Sequence, residues 1–214
     1  MKRSILAVAI PALYLATASV AVAEIRSAAQ WDIGPWVRGR NYSVGMPAHP
    51  TPGANGSVSF AFPMAGSGEV DAMTTPVYPL DGAKQITIRY RIDAPRGTRF
   101  VPSEKPDQTA TVSLYFQRAR DTWTAKGKYA SYRWYVPARA VIPLAPGEHT
   151  VTVRFDERWT NVNGQPNSSD PAGFRAALRD TSQIGIAFGS MGRRSHGVYA
   201  TGPARFTLLD LDIR

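Results

Sequence analysis

Residues 189–197, GSMGRRSHG, gather two arginines, two serines and a histidine between glycines, and so invite a chemical reading first. A phosphate-cradling loop needs Lys and then Ser or Thr after its last glycine, with a helix behind it. Here no Lys follows, and an alternating, strand-like run comes next. A nucleophile elbow needs Gly-x-Ser-x-Gly. Ser195 has Gly197 behind it, but Arg193 stands where the first glycine belongs. The three histidines, His49, His149 and His196, are far apart and lack ligand-like spacing, so no transition-metal site is predicted. Asp156 and Glu157 are adjacent and point to opposite faces of a strand, which does not make a pair of carboxylates facing across a groove. Glu69 and Asp71 share a face of an extended chain, but they lie in a Gly-rich run that reads as a loop. Asp210 and Asp212 share a face of the last strand and could offer oxygens to calcium, although a water-facing role suffices for them. No catalytic residue and no metal ligand is assigned.

The outward faces of the strands carry more information. Opposite the apolar Ile88 and Tyr90 stands Arg89. Ser113, Tyr115 and Gln117 lie opposite Leu114 and Phe116, and Arg154 opposite Val153 and Phe155. In YASYRWYV both faces are bulky, with Arg133 and Tyr135 on one of them. If these strands share a sheet, its open face combines Arg89, Arg133 and Arg154 with Tyr115, Tyr135 and Gln117. Aromatic rings stack on the C–H face of a pyranose, while Arg and Gln bridge hydroxyls or a carboxylate. Trp123 and Trp159 sit in loop-like stretches and are candidate sugar platforms. Trp31 and Trp36 are expected to pack in the core.

The elements that must position these groups are short alternating runs. Val58, Phe60, Phe62 and Met64 fall on one face of SVSFAFPM; Ile86, Ile88, Tyr90 and Ile92 on one face of KQITIRYRID. TVSLYFQR and HTVTVRFD repeat the pattern. In QIGIAFG, Ile184, Ile186 and Phe188 alternate with Gly185 and Ala187, and such small residues predict close approach of another group on that face. RFTLLDLDIR changes phase between Leu208 and Leu209, the mark of a bulge. A single helix is predicted in SDPAGFRAALRD, with Asp170 as N-cap, Pro171 at the first position, and Phe174, Ala177 and Leu178 on one face. The expected fold is therefore all-β: an antiparallel β-sandwich, jelly-roll-like, with one short helix.

Residues 1–23 read as an export signal: Lys2 and Arg3, an apolar run too short to span a membrane, and AVA before Glu24. Residues 24–56, rich in Pro and Gly, are expected to wrap the sandwich edge, and 57–214 to form the sandwich, with 24–214 one domain. Cysteine is absent, so core packing alone must hold an exported chain together; a bacterial periplasmic or secreted protein is expected. The formal charge is +9, carried mainly by arginine, which suits anionic polysaccharide; no nucleic-acid-binding motif is present and no nucleic-acid partner is expected.

With PGEHTVTVRFDERWTNVNG, the short helix, QIGIAFG and ARFTLLDLDI in that order, the chain resembles the carbohydrate-binding, galactose-binding-like β-sandwich modules of bacterial exported proteins. The resemblance covers roughly residues 57–214 and is one of layout. It implies a non-catalytic module that binds sugar on a concave sheet face or in end loops, and many such modules hold a structural calcium; no other cofactor is implied. Carried over by position, the sheet face supplies Arg89, Tyr115, Gln117, Arg133, Tyr135 and Arg154, and the loops supply Trp123, Trp159, Arg193, Arg194 and His196. The expected function is non-catalytic binding of an acidic polysaccharide. The alternatives are a polysaccharide lyase or glycosidase on the same frame, and a structural envelope protein whose partner is another protein.

Overall fold

The computed structural model describes residues 27–214, so the expected export signal and residues 24–26 lie outside the described residues. The N-terminal segment supplies four short strands, β1 (Asp32–Gly34), β2 (Trp36–Val37), β3 (Arg40–Asn41) and β4 (Thr51–Pro52). There follow β5 (Val58–Ala61), β6 (Ala72–Pro76), β7 (Gln85–Asp93), β8 (Phe100–Pro102) and β9 (Thr111–Arg118). The second half adds β10 (Arg133–Tyr135), β11 (Ile142–Pro143), β12 (Gly147–Arg154) and β13 (Thr160–Asn161). Helix α1 (Pro171–Arg179) then precedes β14 (Thr181–Gly189), β15 (Val198–Ala200) and β16 (Arg205–Ile213).

Two sheets form the sandwich. One has seven strands in the order β1-β6-β14-β9-β10-β13, with β11 also paired to β9; the other has five, β12-β7-β16-β5-β4. All the ladders between these strands are antiparallel. The chain crosses repeatedly between the sheets, as a jelly roll does, and the N-terminal segment lends an edge strand to each.

The alternating runs explain the core. Ile86, Ile88, Tyr90 and Ile92 of β7 are buried, while Arg89 and Arg91 between them are exposed. At one end Phe60, Phe188 and Phe206 pack edge-on or stacked, with centroids 5.3–5.5 Å apart. At the other, Phe116, Trp134 and Trp159 surround Phe174 of the helix. Met64, expected inside with Val58, Phe60 and Phe62, is exposed because β5 ends at Ala61. The helix begins as expected: Asp170 accepts a hydrogen bond from the Gly173 amide at 2.9 Å, an N-cap worth about 1 kcal/mol. The predicted bulge in β16 is present, between Leu208 and Asp210, so Leu208 and Leu211 both face the core.

Candidate functional site

The outer face of the seven-stranded sheet is built in rows across the strands. Thr74 of β6, Gly185 of β14, Tyr115 of β9 and Tyr135 of β10 stand in register. The Tyr115 ring lies across Gly185, where a Cβ would come within 2.6 Å of the ring, and its hydroxyl bonds to Thr74. Gly185 is therefore the small residue that lets an aromatic ring lie flat on the sheet, the close approach its sequence context predicts. Burial pushes the Tyr115 hydroxyl up, out of the range in which it would ionise in water. In the next row Gln183, Gln117 and Arg133 face outward, and Gln117 Nε2 donates to Gln183 Oε1 at 2.5 Å.

Loops roof this face. Trp123 packs edge-on to Tyr115 at 5.7 Å and lies 4.0 Å beneath the Arg133 guanidinium, which pairs with the buried Asp121 carboxylate at 3.1 Å. Burial raises the Asp121 pKa against the lowering effect of Arg133. From the other side, Arg194 Nη1 donates to the Val136 carbonyl at 2.7 Å and sits over the Tyr135 ring. Loss of solvation lowers its pKa. The Tyr135 hydroxyl lies 3.3 Å from Ser195 Oγ. The β2–β3 hairpin overhangs the sheet, turning through Arg38 and Gly39, both with positive φ.

Beneath the roof are two contiguous depressions. The inner one, about 360 Å³, has an aromatic and cationic side of Tyr42, Trp123, Arg133, Tyr135 and Arg194. An acidic wall of Glu69, Asp71 and Glu104, with His196, also lines it. The outer one, about 1000 Å³, shares Val37, Tyr42 and Trp123 with it and adds Trp36 and Tyr129. Together they form a groove with aromatic rings along its length.

The acidic wall is held by contacts remote in sequence. Ser43 Oγ donates to the Gly34 carbonyl and accepts from the Asp71 amide at 2.8 Å, tying the N-terminal segment to the start of β6. Asp71 is only 6% exposed, and its Oδ1 has no hydrogen-bond partner. Burial, reinforced by the negative charges of Glu69 and Glu104, pushes its pKa up to about 8. Glu104 lies 2.9 Å from His196 Nδ1 and 3.7 Å from Arg193. Glu69 packs on Gly197, where any Cβ would collide with its carboxylate. Among the described residues no group of three or more His, Cys, Asp or Glu is arranged to hold a metal ion.

The expected site residues divide accordingly. Trp123, Arg133, Tyr135, Arg194 and His196 line the inner cavity. Tyr115 and Gln117 are on the same face but sealed beneath it, so they support the lining rather than form it. Arg193 is exposed at the rim. Arg89 and Arg154 belong to β7 and β12 of the five-stranded sheet, and point to solvent on the far side of the sandwich. The premise that all these strands share one sheet is therefore corrected. Trp159 is corrected too: it is wholly buried, stacked on Phe155, with its Nε1 donating to the Arg154 carbonyl. Trp36, expected in the core, is 49% exposed at the groove. Glu69, Asp71 and Glu104 were not anticipated as a group; the shared face of Glu69 and Asp71 was the available signal, and the Gly-rich setting obscured it.

The class defined by fold and site is an antiparallel β-sandwich with a loop-roofed groove on one sheet. No protein-family model matches the chain, and no curated protein matches its sequence. Some solved structures are similar to it in overall layout. A xylan-binding module, CBM15, aligns over 87% of this chain and 95% of its own, at 16% identity and a TM-score of 0.42. A carbohydrate-binding module specific for non-crystalline cellulose, CBM28, aligns over 86% and 87%, at 15% identity and a TM-score of 0.43. A structure described with endo-acting O-glycanases of human gut bacteria aligns over 90% and 94%, at 10% identity and a TM-score of 0.40. Likeness at this level assigns no activity.

Proposed function

We propose that this is an exported glycan-binding protein and that the roofed groove is its binding site. The observation that carries the reading is the continuity of the two depressions, with Trp36, Tyr42, Trp123, Tyr129 and Tyr135 distributed along them. Aromatic faces spaced along a groove, with polar groups between them, suit a chain of pyranose rings, each offering one apolar face and a rim of hydroxyls. The polar groups also bear on the class of glycan. Arg133 is engaged by Asp121 and Trp123, and Arg194 by a backbone carbonyl, whereas Asp71 Oδ1 is unpartnered. Glu69 and Glu104 set negative charge beside the neutral Asp71 carboxyl, so a neutral glycan fits the inner cavity better than the anionic one that net charge suggests. Export rests on the leader-like residues 1–23.

Affinity electrophoresis through gels holding neutral and acidic polysaccharides tests the reading. Retardation by a neutral polymer, unchanged as salt is raised, is expected. Retardation only by polyanions, disappearing with salt, would reduce the interaction to the basic surface and remove the groove as its site.

A further inference from the structure

A buried carboxyl oxygen without a partner calls for a physical reason, because leaving a polar group unsatisfied costs roughly 1–3 kcal/mol. Asp71 is such a group, and nothing in the packing of β6 demands an acid there: its amide is fixed by Ser43 and its carbonyl by the Phe188 amide, both independent of its side chain. Asp71 nevertheless lines the inner cavity, near Glu69 and Glu104 and in the same cavity as the aromatic rings.

We propose, building on the glycan-binding reading, that the inner cavity hydrolyses a glycosidic bond, with Asp71 as proton donor and Glu69 as the carboxylate that activates water. Two carboxyl groups in one cleft serve this chemistry when their surroundings keep one neutral and the other charged. Burial and two neighbouring carboxylates keep Asp71 neutral up to about pH 8. Glu104 is engaged by His196 and Arg193, which leaves Glu69 for the water. The Asp71 proton passes to the bridging oxygen as the bond from that oxygen to the anomeric carbon breaks. Water attacks the anomeric carbon and gives a proton to Glu69. The products are a reducing sugar and an alcohol, and solvent exchange returns Glu69 to its anion and Asp71 to its acid. Gly197 has a part in this, since a side chain there would displace the Glu69 carboxylate.

The test uses the purified protein with soluble xylan, mixed-linkage glucan and mucin O-glycans. Reducing ends are measured alongside retention in affinity gels. Release of reducing ends by the wild type is expected. Asp71→Asn and Glu69→Gln should each lower it at least 100-fold with the fold intact by circular dichroism, and the wild-type rate should fall as pH rises past about 8. A polymer that is retained but releases no reducing ends overturns the hydrolysis and leaves the binding reading standing. Activity within twofold of wild type in both folded variants overturns the assignment of these two residues. If no polymer is retained and none is cut, the binding reading falls and the hydrolysis with it.

Discussion

The two sheets of this sandwich turn very different outer faces to their surroundings. On the five-stranded sheet, Arg89, Arg91 and Arg154 stand in water; Arg91 pairs with Asp93 and Arg154 with Asp156. Exposed pairs of this kind contribute little to stability, because water and salt screen them. On the seven-stranded sheet the same residue types are buried. Tyr115, Gln117 and Arg133 are each less than a tenth exposed, and the Arg133 guanidinium is paired with Asp121 and packed on Trp123, both supplied by a loop. Both faces are alternate positions of amphipathic strands. What separates them is the roof: the β2–β3 hairpin and the loops carrying Trp123 and Arg194 convert one face into a groove, and among the described residues the other face has no such cover.

The largest way to break that contrast is to remove the counter-ion under the roof. Asp121→Asn leaves the Arg133 guanidinium buried without its partner, and should cost about 3 kcal/mol in urea unfolding, with a change in Trp123 fluorescence. Gly185→Val forces a side chain into the Tyr115 ring and should cost about 2 kcal/mol while disordering the floor, read from the same denaturation curves. A further effect is one of pH. The folded value for Asp71, about 8, lies above its unfolded value of 3.8, so between these the folded chain keeps a proton that the unfolded chain releases. The stability attached to the neutral carboxyl is whole below about pH 4 and is lost as pH rises through about 8. The melting temperature of Asp71→Asn relative to wild type should therefore climb over that window; a pH-independent difference would show that Asp71 is not held neutral. Smallest of all, Arg89→Gln combined with Arg154→Gln should leave the melting temperature nearly unchanged and glycan retention as it was.

Much of the frame was legible in the residue order. The alternation in β7, the phase change in β16, the Asp170 cap and the smallness of Gly185 are all local signals, set by neighbours within a few residues. Alternation states which residues point inward, but not to which sheet a strand belongs. Arg89 and Arg133 therefore looked like neighbours on one face, although β7 and β10 lie on opposite sheets. The sequence of β9 reads as half-buried because Ser113, Tyr115 and Gln117 are polar or amphipathic, and the roof that buries them comes from distant segments. Trp36 was assigned to the core by residue type; its exposure follows from the tight turn at Arg38 and Gly39, which holds it at the groove. The acidic wall depends on Ser43 meeting Asp71 across 28 positions of sequence, a contact that no local pattern announces.

The most direct test of the central claim compares the two faces for ligand. Isothermal titration of a retained neutral oligosaccharide into Trp36→Ala, in which an exposed ring of the groove is removed, should show affinity about tenfold below wild type at nearly unchanged stability. The Arg89→Gln, Arg154→Gln double variant should bind as wild type does. Full affinity in a folded Trp36→Ala, with affinity lost in the double variant, would place the ligand on the five-stranded sheet and contradict the account.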